Sequence, residues 1–169
     1  MSNNQVGKPE RATQNRIIEL FTNQLGYRYL GDWTEQVRTL PIEEGLLLQY
    51  LTNKKGYSTI LAQKAIHQLI QKASNLSEGL YQANKAVYEL LRYGVKVREE
   101  IGEQKETIRL IDWKKQEKND FAIAEEVTVK GKHSKRPDLV LYVNGIAVGI
   151  IELKSSRVGI KKGIHQNLD

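Results

Sequence analysis

The sequence predicts an α/β fold in which a mixed central sheet is flanked by helices and carries an α-helical insertion at about residues 41–93. Three observations carry this reading. Apolar residues recur at helical spacing near the start and again through the middle of the chain. From Val95 onward the period changes to two. Between two β-prone runs near the end sits Asn144-Gly145, a pair that accepts positive φ at both positions and so signals a hairpin.

The elements follow in order. Ile17, Ile18, Leu20, Phe21 and Leu25 mark a first helix over about 10–25, with Gly26 placed to end it. Tyr27-Arg28-Tyr29-Leu30 alternates and reads as a short strand. A leucine-rich helix spans about 43–50, after Pro41. Within this helical middle Ser58 caps a second helix whose apolar face is Leu61, Ala65, Ile66, Leu69, Ile70 and Ala73. Ser77 is placed to cap the third helix of the middle, which presents Leu80, Ala83, Val87, Leu90 and Leu91 and closes at Gly94. Strands are expected at 95–98, 107–113 and 121–129, and a basic loop at 130–136.

Composition narrows the function classes. The 169 residues suit one domain, and 40% hydrophobic content is enough for a core. No cysteine is present, which removes disulfide scaffolds, zinc–thiolate sites, iron–sulfur clusters and thiol nucleophiles. The apolar runs are too short to span a bilayer and the first residues are polar, so a soluble, cytoplasmic chain is expected. Lys and Arg outnumber Asp and Glu by 26 to 20, a net charge of +6 that favours a polyanionic partner.

The chemistry concentrates in the hairpin. Asp138 to Val143 and Ile146 to Ile151 are apolar on both faces, which predicts strands in the middle of a sheet covered on two sides. Three ionisable residues interrupt that apolar stretch: Asp138 at its start, then Glu152 and Lys154 at its end. Glu152 and Lys154 are two apart and share a face. A plain two-residue turn at Asn144-Gly145 pairs Asp138 with Ile151 and puts it on the face opposite Glu152. A three-residue loop, or a bulge at Gly149, brings Asp138 to the face of Glu152. A joint site therefore predicts a bulged hairpin. Two carboxylates on one face are hard oxygen ligands suited to Mg²⁺, and a neighbouring lysine suits metal-assisted phosphodiester hydrolysis. In the preceding basic loop, Lys130, Lys132, Lys135 and Arg136 are candidates to hold a nucleic-acid backbone.

Arg136-Pro137-Asp138, with Glu152-Leu153-Lys154 placed fourteen residues after that aspartate, resembles the PD-(D/E)xK nuclease motif. The wider string from Arg136 to Ser155 resembles the N-terminal nuclease domain of the R subunit of type I restriction enzymes. The Glu10-Arg-Ala-Thr-Gln14 helix, Leu25 to Trp33, the helical insertion and Gln166 agree with it. The resemblance implies a restriction-endonuclease-like fold over residues 1–169, with Asp138 and Glu152 as metal ligands, Lys154 as catalytic lysine and Gln166 as a supporting residue. It implies Mg²⁺ as cofactor, double-stranded DNA as substrate, and specificity and methylation subunits as partners. ATP belongs to motor domains expected downstream, together with the end of the nuclease core; no Gly-x-x-x-x-Gly-Lys-[Ser/Thr] occurs in this chain. Many such folds recruit a residue from the first helix, and Glu10, Gln14 and Glu19 are candidates. The alternatives are a noncatalytic DNA-binding or docking module of the same fold, or another nuclease of that fold.

Taken singly, the site residues have simpler explanations. Asp138 suits a strand start, and Glu152 with Lys154 an exposed ion pair contributing about 0–1 kcal/mol. Trp33 and Trp113 read as core or edge packing, and His67, His133 and His165 are too scattered to suggest a metal cluster.

Overall fold

Residues 8–77, 79–130 and 134–153 are described by a computed structural model. The first apolar helical stretch forms α1 (Lys8–Glu19), which runs on as a π-helical turn over Leu20–Gln24. Strand β1 (Arg28–Asp32) follows, then the short β2 (Val37–Arg38). The middle of the chain is helical, with α2 (Glu44–Gln49), α3 (Thr59–Ser74) and α4 (Leu80–Tyr93). The period-two region supplies β3 (Val95–Val97), β4 (Glu106–Ile108), β5 (Phe121–Glu125), β6 (Thr128–Lys130), β7 (Ser134–Lys135), β8 (Leu139–Val143) and β9 (Ile146–Ile151).

The main sheet has the order β1-β5-β8-β9. β1 runs parallel to β5, whereas β5–β8 and β8–β9 are antiparallel, so the sheet is mixed. Two smaller sheets, β2-β6-β7 and β3-β4, complete the described strands. Two apolar clusters hold these parts together. One gathers Leu47, Leu51, Leu61, Leu69, Val95, Ile108 and Leu110, all under 8% exposed, and joins the helices to β3 and β4. The other packs Trp33 against Ala122, Ala124, Val140 and Tyr142 on one face of the main sheet. Each large aliphatic side chain buried in this way contributes roughly 1.5–3 kcal/mol.

Local chemistry explains most boundaries. The Ser58 hydroxyl accepts the Leu61 amide at 3.2 Å and caps α3, as its position predicts. Ser77 does not cap α4. Gly79 takes that position, and the Ser77 hydroxyl instead bonds the Asn75 side chain at 2.6 Å, closing a local turn. The expected strand over 107–113 stops at Ile108. The Asp112 carboxylate accepts the amides of Lys114 and Lys115 at 3.2 and 3.0 Å, and this turn replaces a ladder. Those bonds, with Lys55 at 3.1 Å, hold the Asp112 carboxyl below its usual range. The expected strand over 121–129 is two strands, broken at Glu126, which takes φ +55°. Its two halves join different sheets.

The hairpin turn is not a surface feature. Asn144 is fully buried; its amide nitrogen donates to the Leu110 carbonyl and to Asn119 Oδ1, both at 2.9 Å, and its oxygen accepts the Asp120 amide at 2.7 Å. Gly145 sits at φ +84°, and an added Cβ would lie 2.8 Å from the Glu43 carbonyl oxygen and the Leu47 amide nitrogen. α2 therefore docks directly on the turn, and a bridge between Ile42 and Ile146 seals the contact. The expectation of a hairpin covered on both sides is corrected at β9. Among the described residues β9 is the sheet edge, with Val148 52% and Ile150 57% exposed.

Gly145→Ala combines unfavourable φ with a backbone clash, and a loss of about 2–4 kcal/mol is expected in urea denaturation. Gly56→Ala, at φ +74° with no atom within 4 Å of the new methyl, should lose only about 1 kcal/mol.

Candidate active site

The position of Asp138 relative to Glu152 is decided by one residue. Near the turn the β8–β9 ladder pairs Val143 with Ile146 and Tyr142 with Ala147. The next pairs are Leu141 with Gly149, Val140 with Ile150 and Leu139 with Ile151. Val148 has no partner in this ladder and forms a bulge beside Gly149. Without that extra residue Asp138 would face Ile151. With it, the register continued one step sets Asp138 across from Glu152, on the same face. A two-residue turn and a bulge thus coexist in one hairpin. Both acids are half-buried, and Asp138 Oδ2 accepts the backbone amide of Leu153, which ties the start of β8 to the end of β9.

The same end of the sheet carries further carboxylates, because β1 ends at Asp32 and β5 at Glu125. Glu125 is only 2% exposed. A carboxylate so deeply buried is costly without donors, and here it has three. Arg11 bonds both oxygens, at 2.6 and 3.3 Å, Gln14 donates at 2.9 Å, and the Tyr29 hydroxyl donates to Oε1. These bonds raise the Arg11 guanidinium further above its usual range. Burial, followed by the bond to Glu125, pushes the Tyr29 phenol up to about 12. Glu126 receives Gln14 at 3.3 Å and forms an ion pair with Arg136 at 3.2 Å. Asp32 closes its own turn by accepting from the Thr34 hydroxyl and amide, which lowers its carboxyl below the ordinary value.

These donors assign the carboxylates different work. Glu125 and Glu126 are engaged by Arg11, Gln14 and Arg136. Asp138 and Glu152 share a face at the hairpin end by the shifted register. Among the described residues no group of three or more metal-donor side chains gathers. A pair suits a hard cation that retains several waters.

Of the first-helix candidates, Gln14 is the one brought to this end. It is 4% exposed, and its amide nitrogen also lies 3.4 Å from the Asp138 carbonyl oxygen. Glu10 is half-buried and Glu19 is exposed on α1. Lys130 and Lys135 are exposed on the β6–β7 ribbon, and exposed Arg136 precedes Pro137. Lys132, Lys154 and Gln166 lie outside the described residues. Sequence reasoning missed Arg11, Tyr29, Glu125 and Glu126. The available signal was the adjacent acids Glu125-Glu126 closing an otherwise apolar strand.

Comparison with known proteins adds an independent line. The family model described as type I restriction enzyme R protein N terminus matches residues 8–169. A provisionally assigned type I restriction enzyme endonuclease subunit of Methanocaldococcus jannaschii, MjaVIIIP, is 32% identical over 155 residues, covering 89% of this chain and 14% of that protein. The type I restriction enzyme HindI endonuclease subunit of Haemophilus influenzae is 34% identical over 100 residues, covering 56% of this chain and 10% of that protein. The chain thus spans about a seventh or less of the length of these curated relatives.

The absence of native cysteine makes the register directly testable. Asp138→Cys with Glu152→Cys should form a disulfide on mild oxidation in the folded chain, because facing residues of an antiparallel pair have Cα atoms about 4.5–5.5 Å apart. Asp138→Cys with Ile151→Cys should not, and thiol titration distinguishes them. Tyr29→Phe should remove one phenol from the high-pH end of an absorbance titration at alkaline pH. The stability from the raised Tyr29 pKa is whole below pH 10 and is lost as pH rises through about 12.

Proposed function

The chain belongs to the family of type I restriction enzyme R protein N termini, and on that premise we propose that it is an Mg²⁺-dependent endonuclease domain that cuts double-stranded DNA. The observation that carries this reading is the bulge at Val148, whose shifted register, continued one step past Leu139 and Ile151, puts half-buried Asp138 and Glu152 on one face at a sheet end. In this proposal the fold is restriction-endonuclease-like and the helices between residues 41 and 93 are its insertion.

The donor chemistry fits the cation. Asp138 and Glu152 offer hard oxygen atoms, while Arg11 is paired with Glu125 and Arg136 with Glu126. Mg²⁺ held there supplies Lewis-acid polarisation of a phosphodiester oxygen. Lys154 follows Glu152 by two residues. Its ammonium orients the attacking water and offsets charge that develops on the phosphoryl group. Gln166 supports the site or the DNA beside it. Lys130, Lys132, Lys135 and Arg136 hold the phosphate backbone. The amide of Gln14 steadies the start of β8 through the Asp138 carbonyl, so the nucleophile-binding end rests on α1 as well as on the sheet.

The larger assembly is part of the same proposal. The full-length subunit carries an ATP-dependent DNA translocase beyond this domain, and partner subunits supply sequence recognition and methylation. The reaction is that of a type I site-specific deoxyribonuclease.

Plasmid cleavage by the full-length protein with its partners, ATP and Mg²⁺ provides the test. Glu152→Ala and Lys154→Ala should each abolish cleavage, by a factor of at least about 10², while ATP hydrolysis and the circular-dichroism spectrum stay unchanged. Cleavage that persists in Glu152→Ala contradicts the assignment.

A further inference from the structure

Beyond the carboxylate end lies a second feature that the nuclease reading does not use. A cleft of about 560 Å³ opens between the end of α4 and the loop after β4. Lys55, Arg92, Arg109 and Lys114 line it, against the single carboxylate of Asp112. Asp112 pairs with Lys55 at 3.1 Å. Among the described residues no carboxylate pairs with Arg92, Arg109 or Lys114, and all three side chains are exposed. A neighbouring depression is lined by Lys54, Lys55, Glu117 and Lys118.

Two aromatic rings share this cleft. Trp113 is 46% exposed and Tyr93 65% exposed. Trp113 is no packing residue of the ordinary kind. Its indole N–H donates to the Leu91 carbonyl at 2.8 Å, which fixes the ring, and the Arg92 guanidinium lies 5.5 Å from the ring centroid. A large aromatic surface held rigid and left open to water is unfavourable for the fold alone. The other tryptophan, Trp33, shows the contrast: it is 8% exposed and packs on Tyr142 in the core.

The cleft is separate from the acids. The Asp112 amide bonds the side chain of Asn119, which precedes β5, whereas Glu125 closes the far end of that strand. The five residues of β5 put about 13 Å between its two ends.

From the fixed, exposed Trp113 ring flanked by Arg92, Arg109 and Lys114, we infer that this cleft binds a single-stranded segment of nucleic acid, stacking an unpaired base on the indole and seating adjacent phosphates on the cations. A flat aromatic face beside spread positive charges matches the alternation of base and phosphate along a strand. An acidic peptide would meet the cations and leave the ring bare. A duplex presents phosphates but no free base face. The inference needs neither the metal nor the hairpin acids.

The test uses the 169-residue chain in EDTA, so that cleavage plays no part. Titration with a twelve-residue oligo-deoxythymidylate should quench the tryptophan emission that Trp113 contributes, and fluorescence anisotropy of the labelled oligonucleotide should report the same binding curve. Arg109→Ala with Lys114→Ala should flatten the dependence of log K on log salt by about 1.4, from about 0.7 per phosphate contact on a single strand. Trp113→Ala should weaken binding about fivefold or more with the salt slope unchanged. Asp138→Ala should alter neither readout, which keeps this result distinct from the fate of the nuclease reading. Absence of quenching overturns the inference, as does a salt slope untouched by the double substitution. Equal quenching by deoxythymidine monophosphate at the same nucleotide concentration, or stronger binding of duplex without quenching, overturns the assignment to a single strand.

Discussion

A single inserted residue in an antiparallel ladder determines which side chains meet at the end of the sheet. Side chains alternate across a strand with period two, so one extra residue exchanges the faces of everything beyond it. Val148 is that residue. It leaves the turn-proximal pairs in the register of a tight hairpin and moves the distal pairs by one. The exposed edge of β9 tolerates this, because Val148 is half in solvent and no second ladder on that side is interrupted among the described residues.

The bulge matters only if both ends of the hairpin are held, and each is held differently. At the turn, Asn144 is buried in side-chain hydrogen bonds to the 110–120 loop, and Gly145 lies against the backbone of α2. The helical segment thus acts on the sheet through a contact that excludes even a methyl group. At the other end, β8 is fastened by Gln14 and by the Glu126 amide, which donates to the Asp138 carbonyl at 3.0 Å. Buried Glu125 in turn fixes α1 through Arg11 and Gln14 and β1 through Tyr29. Paired acids need such rigid support if they are to share a cation, since misplacement of a ligand by an ångström weakens a site greatly.

Much of this was legible in the sequence. The helical and period-two regions, the Ser58 cap, the Gly94 helix end and the Asn-Gly turn all follow from local chemistry that tertiary packing leaves in place. The alternation reading failed at Leu110-Ile111 and at Glu126. In the first case Asp112 offered backbone amides a local partner; in the second, positive φ at a glutamate splits one apolar run between two sheets. Neither is visible as a change of hydrophobic period. At the site, Asp138 and Glu152 stood out as charges interrupting apolar strands, and the need for a bulge could be reasoned from parity alone. The Glu125 cluster could not, because Arg11, Gln14 and Tyr29 come together only when α1 and β1 fold against β5. For Trp33 and Trp113, read as core or edge packing, nothing local distinguishes the buried indole from the one held at the surface by a bond to Leu91.

In the proposed site Asp138 and Glu152 act on one cation, and a divalent-metal titration reaches that pair without partners, ATP or DNA. Mn²⁺ binding to the chain, followed by calorimetry, should be lost in Asp138→Asn and in Glu152→Gln, with the double variant no weaker than either single one. Strong binding that survives each substitution, or two losses that simply add, would mean that the two acids serve separate sites.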